Sequence, residues 1–124
     1  MDCYYFIYFL ACIDFIPYRY NSTENVTYTR MTRIEYKILE FGWSQHRLPR
    51  DLAELPVRNG FMDKLIDGWE RSIQYLSNDN GVVVLKSFGA DGLPGGTGND
   101  SDIERSFSTK DTNGNWVRQP VGYR

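Results

Sequence analysis

Cysteine, histidine and long apolar runs are scarce in this 124-residue chain, which is long enough for one domain. Both cysteines, Cys3 and Cys12, lie near the N-terminus, which excludes a disulfide-stapled core or a cysteine-type zinc site in the remainder. The uncharged apolar run at residues 3–13 is shorter than the roughly 20 residues that a transmembrane helix needs. Lysine and arginine are scattered, and the net charge of −2 argues against a nucleic-acid-binding face.

Catalytic motifs are also missing from the sequence. Its single histidine, His46, occurs without a Gly-x-Ser-x-Gly or His-Glu-x-x-His pattern, and a general base needs a nucleophile or an acid arranged around it. A lone histidine near a helix C-terminus more often interacts favourably with the helix dipole than acts as a catalytic base. Paired carboxylates can hydrolyse glycosides, but the pairs in this chain lie in a glycine-rich stretch, where ion coordination explains them better. We therefore predict that the protein is not an enzyme.

The most distinctive stretch of the chain is residues 87–104. It contains five of the eleven glycines and no lysine or arginine, together with four acids: Asp91, Asp100, Asp102 and Glu104. Glycine lets the backbone fold tightly, and crowded carboxylates repel one another unless a cation is bound. Calcium prefers six to eight oxygen ligands of the kind this loop supplies. The stretch is therefore a calcium-binding loop or a solvated acidic turn; it does not fit the EF-hand template, because Arg105 stands where that template has glycine.

A helix is predicted upstream, because apolar residues recur at helical spacing at Met31, Ile34, Ile38 and Phe41. Thr32 and Glu35 have the spacing of a capping box, and an earlier start near Tyr28 is the alternative. Gly42 weakens the C-terminal end of this helix. A short helical turn should follow from Pro49 to Pro56, with two leucines over the core, Leu52 and Leu55.

Strands are predicted after an ambiguous segment at residues 57–72, which reads either as a helical face that includes Phe61 and Trp69 or as a turn at Asp67-Gly68. Strands at 72–77 and 82–88 should form a hairpin through Asn78-Asp79-Asn80-Gly81. The apolar run at 82–85 indicates a central strand that is covered on both faces.

The last part of the chain is polar, and a final hairpin is predicted from Ser106-Phe-Ser-Thr and Trp116-Val-Arg. Three alternating oxygen donors between these segments indicate either an ordinary turn, which we favour, or a second ion: Asp111, Asn113 and Asn115.

Residues 87–103 read Ser-Phe-Gly-Ala-Asp-Gly-Leu-Pro-Gly-Gly-Thr-Gly-Asn-Asp-Ser-Asp-Ile, which resembles the C-terminal signature of the G protein, the major pseudopilin of type II secretion. Leu-Pro-x-x-Leu at 48–52, Asp-Gly-Trp at 67–69 and Ile-Gln-Tyr at 73–75 also resemble that family. The resemblance covers about residues 31–104.

The resemblance implies an α+β pseudopilin-like fold, in which an N-terminal helix packs on a small antiparallel sheet with a calcium-binding loop. Asp91 and Asp102 match the family's acidic ligand positions for Ca2+. We add Asp100 as a further carboxylate and the carbonyl of Phe88 as a backbone ligand. The family often has Asp-x-Trp-Gly before a strand, and Glu70 stands in place of that glycine, so the local backbone is expected to differ.

The family's basic leader and its Gly-Phe-Thr-Leu-x-Glu sequence do not occur in residues 1–20. We expect residues 1–20 to be a signal or a lipoprotein-like anchor, because Leu10-Ala11-Cys12 resembles the end of a bacterial lipoprotein signal. A buried arm or a mis-assigned start is the alternative, and residues 21–124 are expected to be the globular domain.

The predicted function is that of a calcium-stabilised component of the type II secretion apparatus, involved in protein secretion. The predicted partners are other pseudopilins or further copies of the chain, with no nucleic acid. Membrane association is expected through the N-terminal segment. The predicted location is the bacterial cell envelope, on the periplasmic side of the inner membrane or lipid-anchored. The alternative is a stand-alone calcium-dependent binding module, periplasmic or lipid-anchored.

Overall fold

A long helix packs on a three-stranded sheet in the computed structural model, which describes residues 22–56 and 63–120. The chain order is helix α1 (Thr23–Gln45), then strands β1 (Gln74–Ser77), β2 (Val82–Ser87) and β3 (Ile103–Ser108). The sheet is antiparallel with the order β1-β2-β3. This arrangement confirms the predicted α+β architecture of one helix on a small antiparallel sheet.

Helix α1 begins earlier than either start that the sequence predicted. Ser22 is the N-cap, and its hydroxyl accepts a hydrogen bond of 3.1 Å from the backbone N–H of Asn25. The predicted capping box is therefore wrong, because Thr32 lies inside the helix and donates its hydroxyl to the carbonyl of Tyr28. The segment before Met31 is mostly polar, yet three of its residues are buried and form one face of the helix: Val26, Thr27 and Arg30.

The C-terminal end of α1 depends on a glycine inside the helix. A methyl group on Gly42 would lie 2.8 Å from Cε3 of Trp116, so the glycine lets the indole ring pack directly on the helix. His46 is the C-cap with φ 57°, and its backbone N–H donates to the carbonyl of Gly42 at 2.9 Å. His46 therefore ends the helix through its backbone conformation.

A 3-10 turn at Leu52–Glu54 replaces the longer helical turn that was predicted from Pro49. Asp51 begins this turn by accepting a hydrogen bond of 2.9 Å from the N–H of Ala53. Leu52 and Leu55 are both buried, which confirms their predicted place in the core.

The hairpin between β1 and β2 forms as predicted, with Ser77 opposite Val83. Asn78 accepts hydrogen bonds of 3.0 Å from the N–H groups of Asn80 and Val82, and Gly81 takes φ 85°. β2 is the central strand, but its residues alternate between buried and half-buried, so the predicted cover on both faces is only partial.

β3 begins inside the stretch that composition assigned to the acidic loop. Ile103 pairs with Ser87 and Glu104 pairs with Lys86, so these two residues belong to the sheet and the loop ends at Asp102. The predicted final hairpin forms only in part. Ser106 lies within β3, while the N–H of Val117 donates to the carbonyl of Thr109 at 3.0 Å and an antiparallel bridge joins Lys110 to Trp116.

The turn within that bridge is built on the side chain of Asp111. Its Oδ1 accepts hydrogen bonds of 2.9 Å from the N–H groups of Asn113 and Asn115. These bonds support the interpretation of this segment as an ordinary turn.

The core lies between α1 and one face of the sheet, and its buried apolar members are Met31, Ile34, Ile38, Leu52, Leu55, Ile73, Val83, Leu85 and Ile103. Trp69 packs against this cluster. Phe61 and the apolar segment 1–20 lie outside the described residues. Across 22–56 and 63–120, no helix has the length and apolar character to cross a membrane.

Candidate metal-binding loop and its supporting turn

The glycine-acid loop, residues 88–102, connects two neighbouring strands of the sheet. It leaves β2 after Ser87 and enters β3 at Ile103, and these two residues are paired partners. Because strand pairing fixes both ends of the loop, the loop is anchored on a rigid part of the sheet.

The loop uses its glycines to fold back on itself. All five of them, at 89, 92, 95, 96 and 98, have positive φ angles. Gly89 and Gly96 are also closely approached, since a methyl group on either would lie 2.6 Å from a carbonyl oxygen, that of Ser101 or Asp100 respectively. The Ala90 N–H donates to the Asn99 carbonyl at 2.8 Å, which closes the two halves of the loop against each other.

Two predicted metal ligands make local hydrogen bonds within the loop. Oδ1 of Asp91 accepts a bond of 3.0 Å from the N–H of Leu93, and Oδ1 of Asp102 accepts one of 3.1 Å from the N–H of Gly95. Asp100 is exposed and lies in the 3-10 turn Gly98–Asp100. Phe88, the predicted source of a backbone ligand, is half-buried and follows β2 directly.

The donor types in the loop fit calcium, since they are carboxylate and carbonyl oxygens. The carboxylates are nevertheless not gathered: in the part of the chain that the structure describes, no three Asp, Glu, His or Cys side chains form a metal-holding group. The calcium site at Phe88, Asp91, Asp100 and Asp102 therefore stays a prediction.

A turn before the sheet supports the start of the loop, and its central residue is the buried Asp67. Oδ1 of Asp67 accepts hydrogen bonds of 2.9 Å from the N–H groups of Trp69 and Arg71. Oδ2 accepts a bond of 2.7 Å from the hydroxyl of Ser87, which in turn accepts from the N–H of Gly89 at 3.2 Å. One carboxylate thus organises its own turn and holds the root of the loop.

Helix α1 fixes the same turn from the opposite side. Arg30 is buried and donates from Nη1 to the carbonyl of Asp67 at 3.0 Å, while the hydroxyl of Thr27 accepts from the N–H of Gly68 at 2.8 Å. A methyl group on Gly68 would lie 2.4 Å from the carbonyl oxygen of Thr23. The turn is therefore packed between the helix and the loop.

Glu70 lies in this turn with φ 69°, a left-handed conformation that favours glycine. The expectation of a different local backbone at this position is therefore not supported: the glutamate occupies a glycine-type conformation. The bridge between Ile66 and Ser72 closes the turn around it.

The sequence did not identify Asp67, Arg71 or Ser87 as functional residues. The available signals were the Asp-Gly-Trp motif and the turn expected at Asp67-Gly68, and the structure confirms that turn.

Charge in the groove beside α1 is largely paired. Lys37 lies 2.8 Å from Asp63, and Arg118 lies 2.8 Å from Glu40. Among the described residues of this groove, these four charged side chains are thus held in ion pairs.

The structural features define a small α+β domain in which a long helix covers an antiparallel sheet and a glycine-acid loop joins two adjacent strands. The model of the family described as type II secretion system (T2SS), protein G, matches residues 18–106, so the chain belongs to this family. This match confirms the resemblance that the glycine-acid signature carries. No curated protein shows a significant match to the chain.

Proposed function

We propose that the chain is a calcium-stabilised structural component of the type II secretion apparatus. The observation that supports this proposal most strongly is the family match, which spans α1, the supporting turn, the loop and most of β3. Family membership makes other pseudopilins the expected partners and the cell envelope the expected location. We place the domain on the periplasmic side of the inner membrane and attribute membrane association to residues 1–20.

Calcium would be held by Asp91, Asp100, Asp102 and the carbonyl of Phe88. When bound, the ion would supply positive charge that offsets the repulsion among the loop carboxylates. Asp91 and Asp102 each have one oxygen in a hydrogen bond to the loop backbone, which fixes the side chain. The flexible glycines allow the two halves of the loop to adjust around the ligand oxygens.

The role we assign to this site is stability of the sheet edge. Because the loop connects Ser87 of β2 to Ile103 of β3, which are paired partners, its order bears directly on the pairing of these two strands. Binding to the folded form alone stabilises it by about 2.7 kcal/mol at a calcium concentration of 100 times Kd. Extracellular calcium modules bind at about 10−4 to 10−3 M, a range that suits the periplasm.

Gene deletion in the organism that encodes the chain tests the secretion role. Proteins that normally reach the medium should accumulate inside the cells, and expression of the wild-type chain should restore their export. Unchanged export in the deletion strain would overturn the proposed role and favour a stand-alone calcium-dependent module.

A matched pair of variants tests the calcium part of the proposal. Asp102→Ala removes a proposed ligand and should restore export poorly, whereas Asp79→Ala alters an exposed acid in the β1–β2 hairpin and should restore it fully. Equal restoration by the two variants would show that calcium at this loop is dispensable for secretion.

A further inference from the structure

Arg71 extends from the supporting turn to the first turn of the loop. Its Nη1 donates hydrogen bonds of 3.0 Å to the carbonyl oxygens of both Gly89 and Ala90. The guanidinium also lies against Gly92, where an added methyl group would be 2.7 Å from Nε. A cation from outside the loop therefore contacts three residues near its start, Gly89, Ala90 and Gly92, and Gly92 leaves the space that this contact needs.

The backbone of Arg71 is itself held in place. Its N–H donates to Oδ1 of the buried Asp67 at 2.9 Å, and its carbonyl accepts from the N–H of Asp67 at 2.8 Å. Since Oδ2 of the same carboxylate accepts from Ser87, the turn and the loop root are joined twice. One link is the carboxylate of Asp67, and the other is the guanidinium of Arg71.

The positive charge of Arg71 complements the acidic loop. The loop, residues 88–102, contains three acids and no basic residue, so it has no positive charge of its own. Arg71 provides a positive charge from a segment that precedes the sheet, and it binds two carbonyl oxygens, the backbone group that calcium also uses. An arginine keeps this charge at every physiological pH.

We propose that Arg71 is a positioning residue for the loop: it folds the root, residues 88–92, without a metal ion. The root then holds the proposed ligands Phe88 and Asp91 in place before calcium binds, and the distal part, residues 93–102, is the part whose order responds to calcium; this second statement rests on the proposed function. The guanidinium of Arg71 thus orders the root of the loop, and an exchangeable calcium ion orders the rest.

Amide hydrogen exchange of the full chain in chelator tests the role of Arg71. The N–H groups of Gly89 and Gly92 report on the root, since they donate to Ser87 and to the carbonyl of Gly89 respectively. Arg71→Met should speed their exchange by about tenfold or more, because each hydrogen bond to a charged group stabilises measurably. Arg71→Lys, which keeps the charge, should retain part of the protection.

Two controls separate positioning from general loss of stability. The amide of Leu85 in β2 reports on global unfolding, so the change in Gly89 and Gly92 should exceed any change there. Arg33→Met removes an exposed arginine from α1 and should leave the root unchanged. Equal exchange of the root in Arg71→Met and in the wild type, or an increase no larger than that of Leu85, would overturn the proposal.

Addition of calcium tests the division of the loop. In the wild type, the amides of Asp100 and Ser101 should become more protected while those of Gly89 and Gly92 change little; in Arg71→Met, the root should also become calcium-sensitive. Equal calcium sensitivity of both halves in the wild type would overturn the division. If no amide of the loop responds, the proposed calcium site fails, and the chelator experiment still decides whether Arg71 folds the root.

Discussion

The hydroxyl of Ser87 donates a hydrogen bond of 2.7 Å to the buried carboxylate of Asp67. This bond joins the last residue of β2 to the turn that precedes the sheet, and Arg30 of α1 holds the same turn through the carbonyl of Asp67. The helix, the sheet and the root of the glycine-acid loop therefore meet at one residue, Asp67. Changes at Asp67 should affect the whole domain as well as the loop.

Replacement of Asp67 tests this dependence. Asp67→Ala would leave three donors without an acceptor, the N–H groups of Trp69 and Arg71 and the hydroxyl of Ser87. Since each buried unsatisfied polar group costs about 1–3 kcal/mol, the free energy of unfolding should fall by about 3 kcal/mol or more in urea denaturation. Asp79→Ala, at an exposed acid, should change it by less than about 0.5 kcal/mol. Similar losses in the two variants would contradict the central role of Asp67.

Glycine at position 70 should stabilise the protein. Glu70 has φ 69°, and a left-handed conformation costs an L-residue about 1 kcal/mol that glycine avoids. Glu70→Gly should therefore raise the free energy of unfolding by up to about 1 kcal/mol. Arg33→Gly, within α1, should lower it by a similar amount. A loss of stability in both variants would show that the conformation of Glu70 is not strained.

The ion pair between Arg105 of β3 and Glu35 of α1 links the sheet to the helix, and Glu35 is buried. Arg105→Met would leave a buried carboxylate without this partner and should cost about 3 kcal/mol in the free energy of unfolding. The double variant Glu35→Leu/Arg105→Met removes both charges, so it should recover most of that loss. A double variant that is less stable than Arg105→Met would argue against a buried-charge penalty.

The carboxyl of Glu54 gives the protein a predictable response to acid. A side-chain hydrogen bond from Arg47, with a further bond from the N–H of Arg50, lowers the pKa of Glu54 from 4.5 to about 2. A lowered pKa in the folded state means that the stabilisation is present above about pH 4.5 and is lost as the pH falls towards 2.

Thermal melting of wild type and Glu54→Gln across this range is the corresponding measurement. The difference in Tm between the two should be largest above about pH 5 and should disappear near pH 2. Asp79→Asn serves as the control at an exposed acid. A difference between wild type and Glu54→Gln that is independent of pH would contradict the assignment.

The sequence predicted the elements whose local pattern agrees with their tertiary environment. Helical spacing identified the middle of α1, and the Asn78–Gly81 turn with its β-branched flank identified the hairpin. The start of α1 was missed because Thr27 and Arg30 are buried polar residues, and their partners lie in the distant Asp67–Gly68 turn. No local pattern contains that contact.

Only part of the candidate site could be predicted, because the rest again depends on contacts between residues that are distant in the sequence. Composition located the loop, since glycines and acids are concentrated there, but it extended the loop into β3, where Ile103 pairs with Ser87. Arg71 was missed because it is far from the loop in sequence, and its bonds to Gly89 and Ala90 exist only in the folded chain.

Thermal melting in calcium and in chelator tests the central claim most directly. We predict that calcium raises the Tm of the wild-type chain by several degrees, and that it does the same for Asp79→Ala and has no effect on Asp102→Ala. Identical melting curves of the wild type in calcium and in chelator would contradict the claim that a divalent ion stabilises this domain.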